Sequence, residues 1–321
     1  MTDPSTTLTV RPETDGDAPP DAVVVGVTAA GPIGLPDAAP GSLVELLRER
    51  GEVRSGLGAV AHVHGPDGVR WILVGLGDDG PRHDEDRRTA YGAAVRRAWD
   101  LRSTTVRVVV DAPEGAPAAA EAIVLATHRP ARIRGTAGAV GVAAGTGAPA
   151  TMTAVTALDD PTTDDPIAPD DAAGRMVLVA APDGPLGDVV AARVADAVLV
   201  ARAQNEARRL QQLPANHLTP RALAREASAL GREIEGLRVT TEIGRGALQG
   251  RGMGLFDAVA RGSDEPPALI VAEWDPSAVD PDAEVGGPVL GLVGKAVTHD
   301  TGGYSLKTPA GMIRMKLDMS G

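Results

Sequence analysis

Short valine-rich runs alternate with longer amphipathic stretches along the amino-terminal two thirds of the chain. Each apolar run bounded by Gly, Pro or Asp predicts a buried β-strand, and each stretch with apolar residues three or four positions apart predicts a helix. Ser42 is the expected N-cap of the first helix. Alternating strands and helices indicate a small α/β domain. Strands are predicted at 22–28, 60–63, 69–74, 105–110 and 176–181, and helices at 42–50, 84–101, 117–127 and 188–213.

Fewer elements follow towards the carboxyl end of the chain. Thr219 followed by Pro220 predicts the start of a helix, because Thr is a good N-cap and Pro is tolerated in the first turn. Strands are predicted at 239–243 and 268–274, and the apolar run from Val289 to Val293 predicts a short buried strand. The glycine-rich segment after this run is predicted to form a tight, irregular loop.

The loop after the Val289–Val293 run carries the residues with the clearest chemical potential. Lys295, Asp300, Lys307 and Asp318 all follow it within thirty residues. Ends of strands in α/β sheets are where ligand sites tend to lie. Two aspartates and two lysines on such a loop predict a site for hard cations with an additional fixed positive charge.

Composition divides the chain into four parts. Residues 1–21 are rich in Thr, Pro and Asp and are predicted to form a disordered leader. Residues 22–145 form the predicted amino-terminal α/β domain, without a catalytic role. Residues 146–186 are predicted to be a linker or insertion that ends in a strand, and residues 187–321 form a second domain.

Charge and residue usage exclude several kinds of partner. The net charge of −12 and pI near 5.0 argue against nucleic-acid binding, which uses clustered Lys and Arg. The chain has no Cys, which excludes disulfides and thiolate metal sites. It has no run of about twenty apolar residues and no signal peptide, so we expect a cytoplasmic protein with no membrane partner.

Two further features leave alternatives open. His62 and His64 alternate along one predicted strand and so share a face, where they form either a metal-binding pair or a plain polar strand face. The run from Gly135 to Gly147 has neither the G-x-G-x-x-G register nor the lysine of a phosphate loop. We interpret that run as flexible backbone.

The final segment also resembles a known family. The run GKAVTHDTGGYSLKTPAGMIRMKLDMSG is similar to the metal-binding segment of the leucyl aminopeptidase family, the cytosol aminopeptidases. Lys295, Asp300, Lys307 and Asp318 match that family's pattern at spacings of five, seven and eleven residues. Two upstream stretches extend the resemblance, QLPANHLTPRALAREA and ARGSDEPP. The family pattern is matched from about residue 187 onward.

The resemblance implies a role for each matched residue. Lys295 is expected to bind a metal through its neutral amine, although lysine ordinarily has a pKa of about 10.4. Asp300 is expected to join the metal pair, and Asp318 to bind the same metal as Lys295. Lys307 is expected to remain a cation that polarises the scissile carbonyl and stabilises the gem-diolate formed from it. Met315 is expected to line the pocket for the substrate's first side chain.

The resemblance also implies cofactors, substrates and assembly. The family's activity is the release of amino-terminal residues, leucine and other apolar ones above all, from peptides by a water that two divalent metals activate. The metals are expected to be Mn or Zn, with Mg and Co as alternatives. The expected fold is a small α/β domain followed by the first part of an α/β metallopeptidase domain with a mixed central sheet. The expected assembly is a homohexamer.

One motif of the family is missing from the sequence. The family's second metal-ligand motif, of the form N-T-D-A-E-G-R, has no counterpart here, so the catalytic domain 187–321 is predicted to be incomplete and inactive alone. The alternative is a non-catalytic assembly or binding subunit, and a cysteinylglycine-type dipeptidase is a third reading. His299, where the family has an aromatic or apolar residue, is either an extra ligand or a packed neighbour.

Overall fold

A computed structural model describes residues 8–35, 39–128, 175–181, 186–283 and 286–315. These residues form two compact units of α/β structure, and the chain passes from the first to the second after Glu206. The predicted α/β class is confirmed. The Gly135–Gly147 run, interpreted above as flexible backbone, and residues 146–174 of the predicted linker lie outside the described residues. No helix in the described ranges is long and apolar enough to cross a membrane.

The first unit consists of a sheet with helices packed against it. A 3-10 turn at Pro113–Gly115 precedes its third helix. In chain order its elements are β1 (Thr9–Pro12), β2 (Ala22–Thr28), β3 (Gly31–Pro32), α1 (Gly41–Glu49), β4 (Val60–His64), β5 (Arg70–Gly75), α2 (Asp84–Asp100), β6 (Thr105–Val109), α3 (Ala116–Ala126), β7 (Met176–Ala180) and the first part of α4 (Asp188–Gln212).

The sheet of this unit is mixed. Its strands are arranged in the order β1-β7-β6-β2-β5-β4, and β3 pairs with β2. All neighbours run parallel except β2 with β3 and β4 with β5, which are antiparallel. Parallel strands need crossover helices, which explains why helical stretches separate the strands in the sequence.

Strand β2 is central to the sheet and shows why the apolar runs are continuous. Every residue of its AVVVGVT sequence is buried. Ala22 and Val24 face a core that α2, α3 and α4 complete, whereas Val23, Val25 and Val27 face a smaller core completed by α1. A strand covered on both faces has no polar side, so the sequence shows no alternation.

A buried ionic cluster lies at the carboxyl end of β6. The carboxylate of Asp111 accepts hydrogen bonds from Arg87 Nε and Nη2, both at 3.0 Å, and Arg82 Nη1 lies 3.4 Å from it. The hydroxyl of Tyr91 donates to Asp111 Oδ1 at 3.3 Å and accepts from the Asp111 amide at 2.7 Å. Burial, followed by the nearby Asp111 charge, raises the Tyr91 pKa, so this hydroxyl keeps its proton.

The second unit contains the end of α4, four further helices and one strand pair among its described residues. Strands β8 (Leu237–Ile243) and β9 (Ala268–Trp274) pair antiparallel, with Leu237 opposite Trp274 and Ile243 opposite Ala268. Helix α5 (Pro220–Glu233) packs against this pair. Thr219 is its N-cap, as predicted, and the Thr219 hydroxyl accepts from the Ala222 amide at 3.2 Å. Its elements are α5 (Pro220–Glu233), β8 (Leu237–Ile243), α6 (Arg245–Gly250), α7 (Gly254–Ala260), β9 (Ala268–Trp274), a 3-10 turn (Pro276–Ala278) and α8 (Pro309–Arg314).

Three local predictions are wrong. The leader predicted over residues 1–21 contains strand β1, which pairs with β7 because Thr9 to Pro12 can extend the parallel ladder. Helix α1 begins at Gly41 after Pro40, not after a Ser42 cap. The Val289–Val293 run forms no strand and is 96% exposed at Val289 and 100% at Val293, because no strand in the described residues pairs with it.

His62 on the edge strand β4 gives a testable pH dependence. Arg97 donates to its Nδ1 at 3.3 Å, which requires a neutral ring, since a guanidinium cannot accept. Burial, with smaller contributions from the Arg97 and His64 charges, lowers the His62 pKa below its ordinary 6.5. The unfolded chain therefore binds this proton more readily, and the stability contributed by neutral His62 is lost as pH falls below about 6.5.

We expect chemical denaturation across pH 5 to 8 to show this loss in the wild type and not in His62→Gln. The exposed His64 provides the matched control, and His64→Gln should keep most of the pH dependence. Parallel curves for wild type and His62→Gln would contradict the assignment.

Candidate metal centre

A closed loop from Asp300 to Lys307 forms the centre of the candidate site. Asp300 Oδ1 accepts from the Gly302 amide at 2.8 Å, and Asp300 Oδ2 accepts from Lys307 Nζ at 2.8 Å. The same ammonium donates to the backbone carbonyl of Asp300 at 2.9 Å, and the Lys307 amide donates to Thr301 O at 2.9 Å. Two of the predicted site residues are thus in direct contact.

Two glycines allow the loop to close. Gly302 and Gly303 have φ values of +93° and +65°, in the left-handed region that side chains disfavour. A Cβ on Gly302 would lie 2.4 Å from Ser305 O, whereas a Cβ on Gly303 would meet nothing within 4 Å. The backbone turn that brings Lys307 back to Asp300 therefore requires glycine at 302 for space as well as for its dihedral angle.

We expect Gly302→Ala to open this loop. The steric overlap with Ser305 adds to the cost of a left-handed alanine, so amide exchange at Gly302 and Lys307 should become faster. Hydrogen–deuterium exchange by NMR measures both amides. Gly303→Ala is the matched control, because it adds only the dihedral cost of about 1 kcal/mol. Equal exchange rates in the two variants would contradict this account of the turn.

Electrostatics keep Asp300 ionised. Its pKa is lowered first by the hydrogen bond from Lys307, then by the Gly302 amide, and further by the charges of Lys307 and Lys295. The side chains of Asp300 and Lys307 are 45% and 31% exposed, so solvent reaches the pair. Lys295 is exposed, and its charge acts on Asp300, which places both predicted donors in one electrostatic environment.

The donor set of this loop fits a divalent metal ion. Carboxylate oxygen suits Mg²⁺ and Mn²⁺, and an amine nitrogen adds Zn²⁺ and Co²⁺ to the ions that the set accepts. The Asp300 carboxylate is ionised and solvent-accessible, as a metal ligand must be on entry. The ammonium of Lys307 contacts Oδ2, so this oxygen already has a cationic partner.

The remaining predicted residues are placed as follows. Met315 is half-buried directly after α8, whose N-cap Thr308 accepts from the Gly311 amide at 3.2 Å. His299 is exposed. Asp318 lies outside the described residues.

The two histidines on β4 belong to the first unit. The ring centroids of His62 and His64 are 5.7 Å apart. Where the chain is described, no group of three or more His, Cys, Asp or Glu side chains converges in a way that could hold a metal. The bond from Arg97 to His62 Nδ1 accords with the polar strand face that the sequence favours for this pair.

One signal in the sequence supports this loop and was missed by the motif analysis. The chain's only lysines are Lys295, Lys307 and Lys316, and the other 28 of its 31 basic residues are arginine. A guanidinium stays protonated in proteins and cannot bind a metal, whereas an amine can lose its proton and is a compact charge when it keeps it. All three lysines thus lie in the carboxyl-terminal segment that contains the candidate site.

Two profiles of one protein family match the chain. The profile for the "Cytosol aminopeptidase family, N-terminal domain" matches residues 25–136, and that for the "Cytosol aminopeptidase family, catalytic domain" matches residues 205–321. The two matches define a two-domain peptidase architecture and together cover more than half of the chain. The chain belongs to the cytosol aminopeptidase family, as its final segment predicts.

Curated relatives share both parts of the chain. A "Probable cytosol aminopeptidase" of Acidobacterium capsulatum is 32% identical over 89% of this chain and 50% of its own length. One from Nitratidesulfovibrio vulgaris is 37% identical over 84% of this chain and 49% of its own length. The chain therefore spans about half the length of the curated relatives it matches.

Solved structures share the fold. "Bottromycin maturation enzyme BotP in complex with Mn" is 29% identical, with a TM-score of 0.62 over 93% of this chain and 53% of its own. "Tomato leucine aminopeptidase mutant - K354E" is 18% identical, with a TM-score of 0.62 over 98% of this chain and 56% of its own. The second likeness is one of fold alone.

Proposed function

We propose that this chain contributes part of the metal centre of a metal-dependent aminopeptidase that releases amino-terminal residues, preferably leucine and other apolar ones, from peptides. The observation that carries the proposal is the loop on which Asp300 and Lys307 are in contact and the Lys295 charge acts on Asp300. That loop lies in the segment matched by the family's catalytic domain. The relatives' names support a cytoplasmic location.

Each residue has a role that its chemistry allows. Lys295, as the neutral amine, and the carboxylates of Asp300 and Asp318 would hold the divalent ions. When bound, the ions supply Lewis acidity and lower the pKa of a water enough for it to act as a nucleophile near neutral pH. Lys307 would keep its proton and stabilise the negative charge that develops on the scissile carbonyl oxygen. Met315 would contact the apolar first side chain of the peptide.

Three ligands do not complete a centre for two ions, so we propose that residues 1–321 alone have no activity and that other carboxylates complete the centre. The surface of the second unit supports this proposal. Its described residues include several large apolar side chains that are exposed, among them Leu255, Trp274 and Leu290. The four apolar residues of the Val289–Val293 run are adjacent in the chain and each at least 82% exposed. Such a run is a candidate for cover by other protein segments. Homohexamer formation is part of the same proposal.

The manganese complex of BotP supports Mn²⁺ as one of the ions. The amine ligand makes Zn²⁺ the other main candidate, and Mg²⁺ and Co²⁺ are alternatives. We propose a pair of such ions in the complete centre.

Isothermal titration of Mn²⁺ and Zn²⁺ into variants of the chain tests the ligand assignment. Lys295→Arg keeps the charge and removes the ligand, so it should lower affinity at least about tenfold, the equivalent of about 1.4 kcal/mol. Asp318→Ala should lower affinity for the same ion. Lys316→Arg, the same substitution at the third lysine, is the matched control and should bind like the wild type. Equal affinity in Lys295→Arg and Lys316→Arg would contradict the proposal.

A further inference from the structure

The contacts of Lys307 have a consequence for metal loading that goes beyond its proposed part in the reaction. Its ammonium contacts Asp300 twice, at Oδ2 and at the backbone carbonyl. The other carboxylate oxygen, Oδ1, accepts the Gly302 amide inside the turn. Oδ1 is thus bonded to a backbone amide of the turn, whereas Oδ2 is bonded to the side chain of Lys307.

We propose that Lys307 and a divalent ion compete for Asp300 Oδ2, so that metal binding releases the lysine from the carboxylate. An ammonium and a divalent ion on one oxygen would be only about 4 Å apart, where their repulsion exceeds the worth of a half-exposed ion pair. Only one of the two cations can hold this oxygen well. This inference rests on the proposed metal site and adds to it the order of events at Asp300.

The backbone around Lys307 is fixed independently of its side chain. The Lys307 amide donates to Thr301 O, and the next residue, Thr308, caps α8 through the Gly311 amide. Release of the ammonium therefore needs only rotation of its flexible stem, with the loop left in place. With an ion bound, the Lys307 ammonium would be free beside the site that holds the substrate. Without an ion, it stays bonded to the Asp300 carboxylate.

The two lysines of the loop should respond to metal in opposite directions. Lys295, as a ligand, loses its proton to the solvent when it binds the ion, and its amine becomes shielded. Lys307 keeps its proton, leaves Asp300 and becomes more accessible. Because the chain contains only Lys295, Lys307 and Lys316, amine-specific acetylation followed by mass spectrometry resolves every lysine, with Lys316 as the internal reference.

The first arm of the experiment needs no metal. Asp300→Asn in the 321-residue chain removes the negative charge that holds Lys307, so acetylation of Lys307 relative to Lys316 should rise by about two- to fivefold. Asp282→Asn, the same substitution at an exposed aspartate, is the control and should leave the ratio unchanged. An unchanged ratio in Asp300→Asn would overturn the inference.

The second arm adds Mn²⁺ to the wild-type chain. Acetylation of Lys295 should fall while that of Lys307 rises by a factor similar to that in Asp300→Asn. Protection of Lys295 with no rise at Lys307 would overturn the competition and leave the proposed function standing. No response of either lysine up to millimolar Mn²⁺ would overturn the metal site itself, and the inference with it.

Discussion

Asp111→Ala should lower the free energy of unfolding of the first unit by about 3–5 kcal/mol, because removing one partner of a buried ion pair leaves the other charge uncompensated. The Asp111 side chain is 2% exposed, and those of Arg82 and Arg87 are each 12% exposed. Without the carboxylate, Arg82 loses its ion pair with Asp111. The only ion pair that Arg87 then keeps among the described residues is that of its Nη1 with the exposed Asp84, at 3.4 Å. The Tyr91 hydroxyl also loses its acceptor. Urea denaturation followed by tryptophan fluorescence measures the change.

A second ion pair on the same helix provides the control. Arg88 Nε lies 2.8 Å from Glu121 and joins α2 to α3, but the two side chains are 34% and 21% exposed. Because solvent screens such a pair, Glu121→Ala should cost no more than about 1 kcal/mol. A similar loss in Asp111→Ala and Glu121→Ala would contradict the structural role given to the cluster.

Lys307→Ala in a form of the protein as long as its relatives should lower kcat by a factor of about 10²–10³, the loss typical of removing one group that stabilises an oxyanion. The expected reason is the missing charge beside the scissile carbonyl. Metal content should be kept, or should rise, because the competitor for Asp300 is gone. Steady-state hydrolysis of leucine-p-nitroanilide and elemental analysis of the same sample measure the two quantities.

Lys307→Arg separates charge from shape in this prediction. A planar guanidinium keeps the charge but not the compact geometry of an ammonium, so it should recover only part of the lost kcat. Loss of bound metal together with activity in Lys307→Ala would show that Lys307 is a ligand, contrary to its assignment.

The first unit could be predicted well because its buried strands have a simple signature. The run Ala22–Thr28 matches β2 in full, since every residue of a strand covered on both faces is buried and nearly all are apolar. The Asp111 cluster could not be predicted. Its contacts join residues 20 to 29 positions apart that no local pattern connects, and only the packing of α2 against the sheet brings them together.

The Val289–Val293 run shows where apolar patterning fails. An apolar run indicates that its burial is favourable. It does not indicate which strand pairs with it or which element packs over it. In the described residues no strand does so, and the run is exposed. The leader failed for the converse reason, because Thr9–Pro12 is too short and polar to predict a strand and is held by its pairing with β7.

The candidate site could be predicted in composition but not in contacts. The spacing of Lys295, Asp300 and Lys307 predicts that this loop carries the site, and the glycines predict that the loop turns tightly. The pairing of Lys307 with Asp300 depends on the left-handed backbone at Gly302, which brings residue 307 back over residue 300. The ligand roles of Lys295, Asp300 and Asp318, the charge-stabilising role of Lys307 and the pocket role of Met315 stay predictions.

The most direct measurement is the hydrolysis of leucine-p-nitroanilide by the purified 321-residue chain with added Mn²⁺, beside the metal bound in the same sample. The account predicts weak metal binding and no turnover above that of Mn²⁺ alone, because three ligands do not form a complete two-metal centre. Clear turnover that depends on both protein and metal would contradict it. That result would require further ligands within these 321 residues and a different assignment of the site.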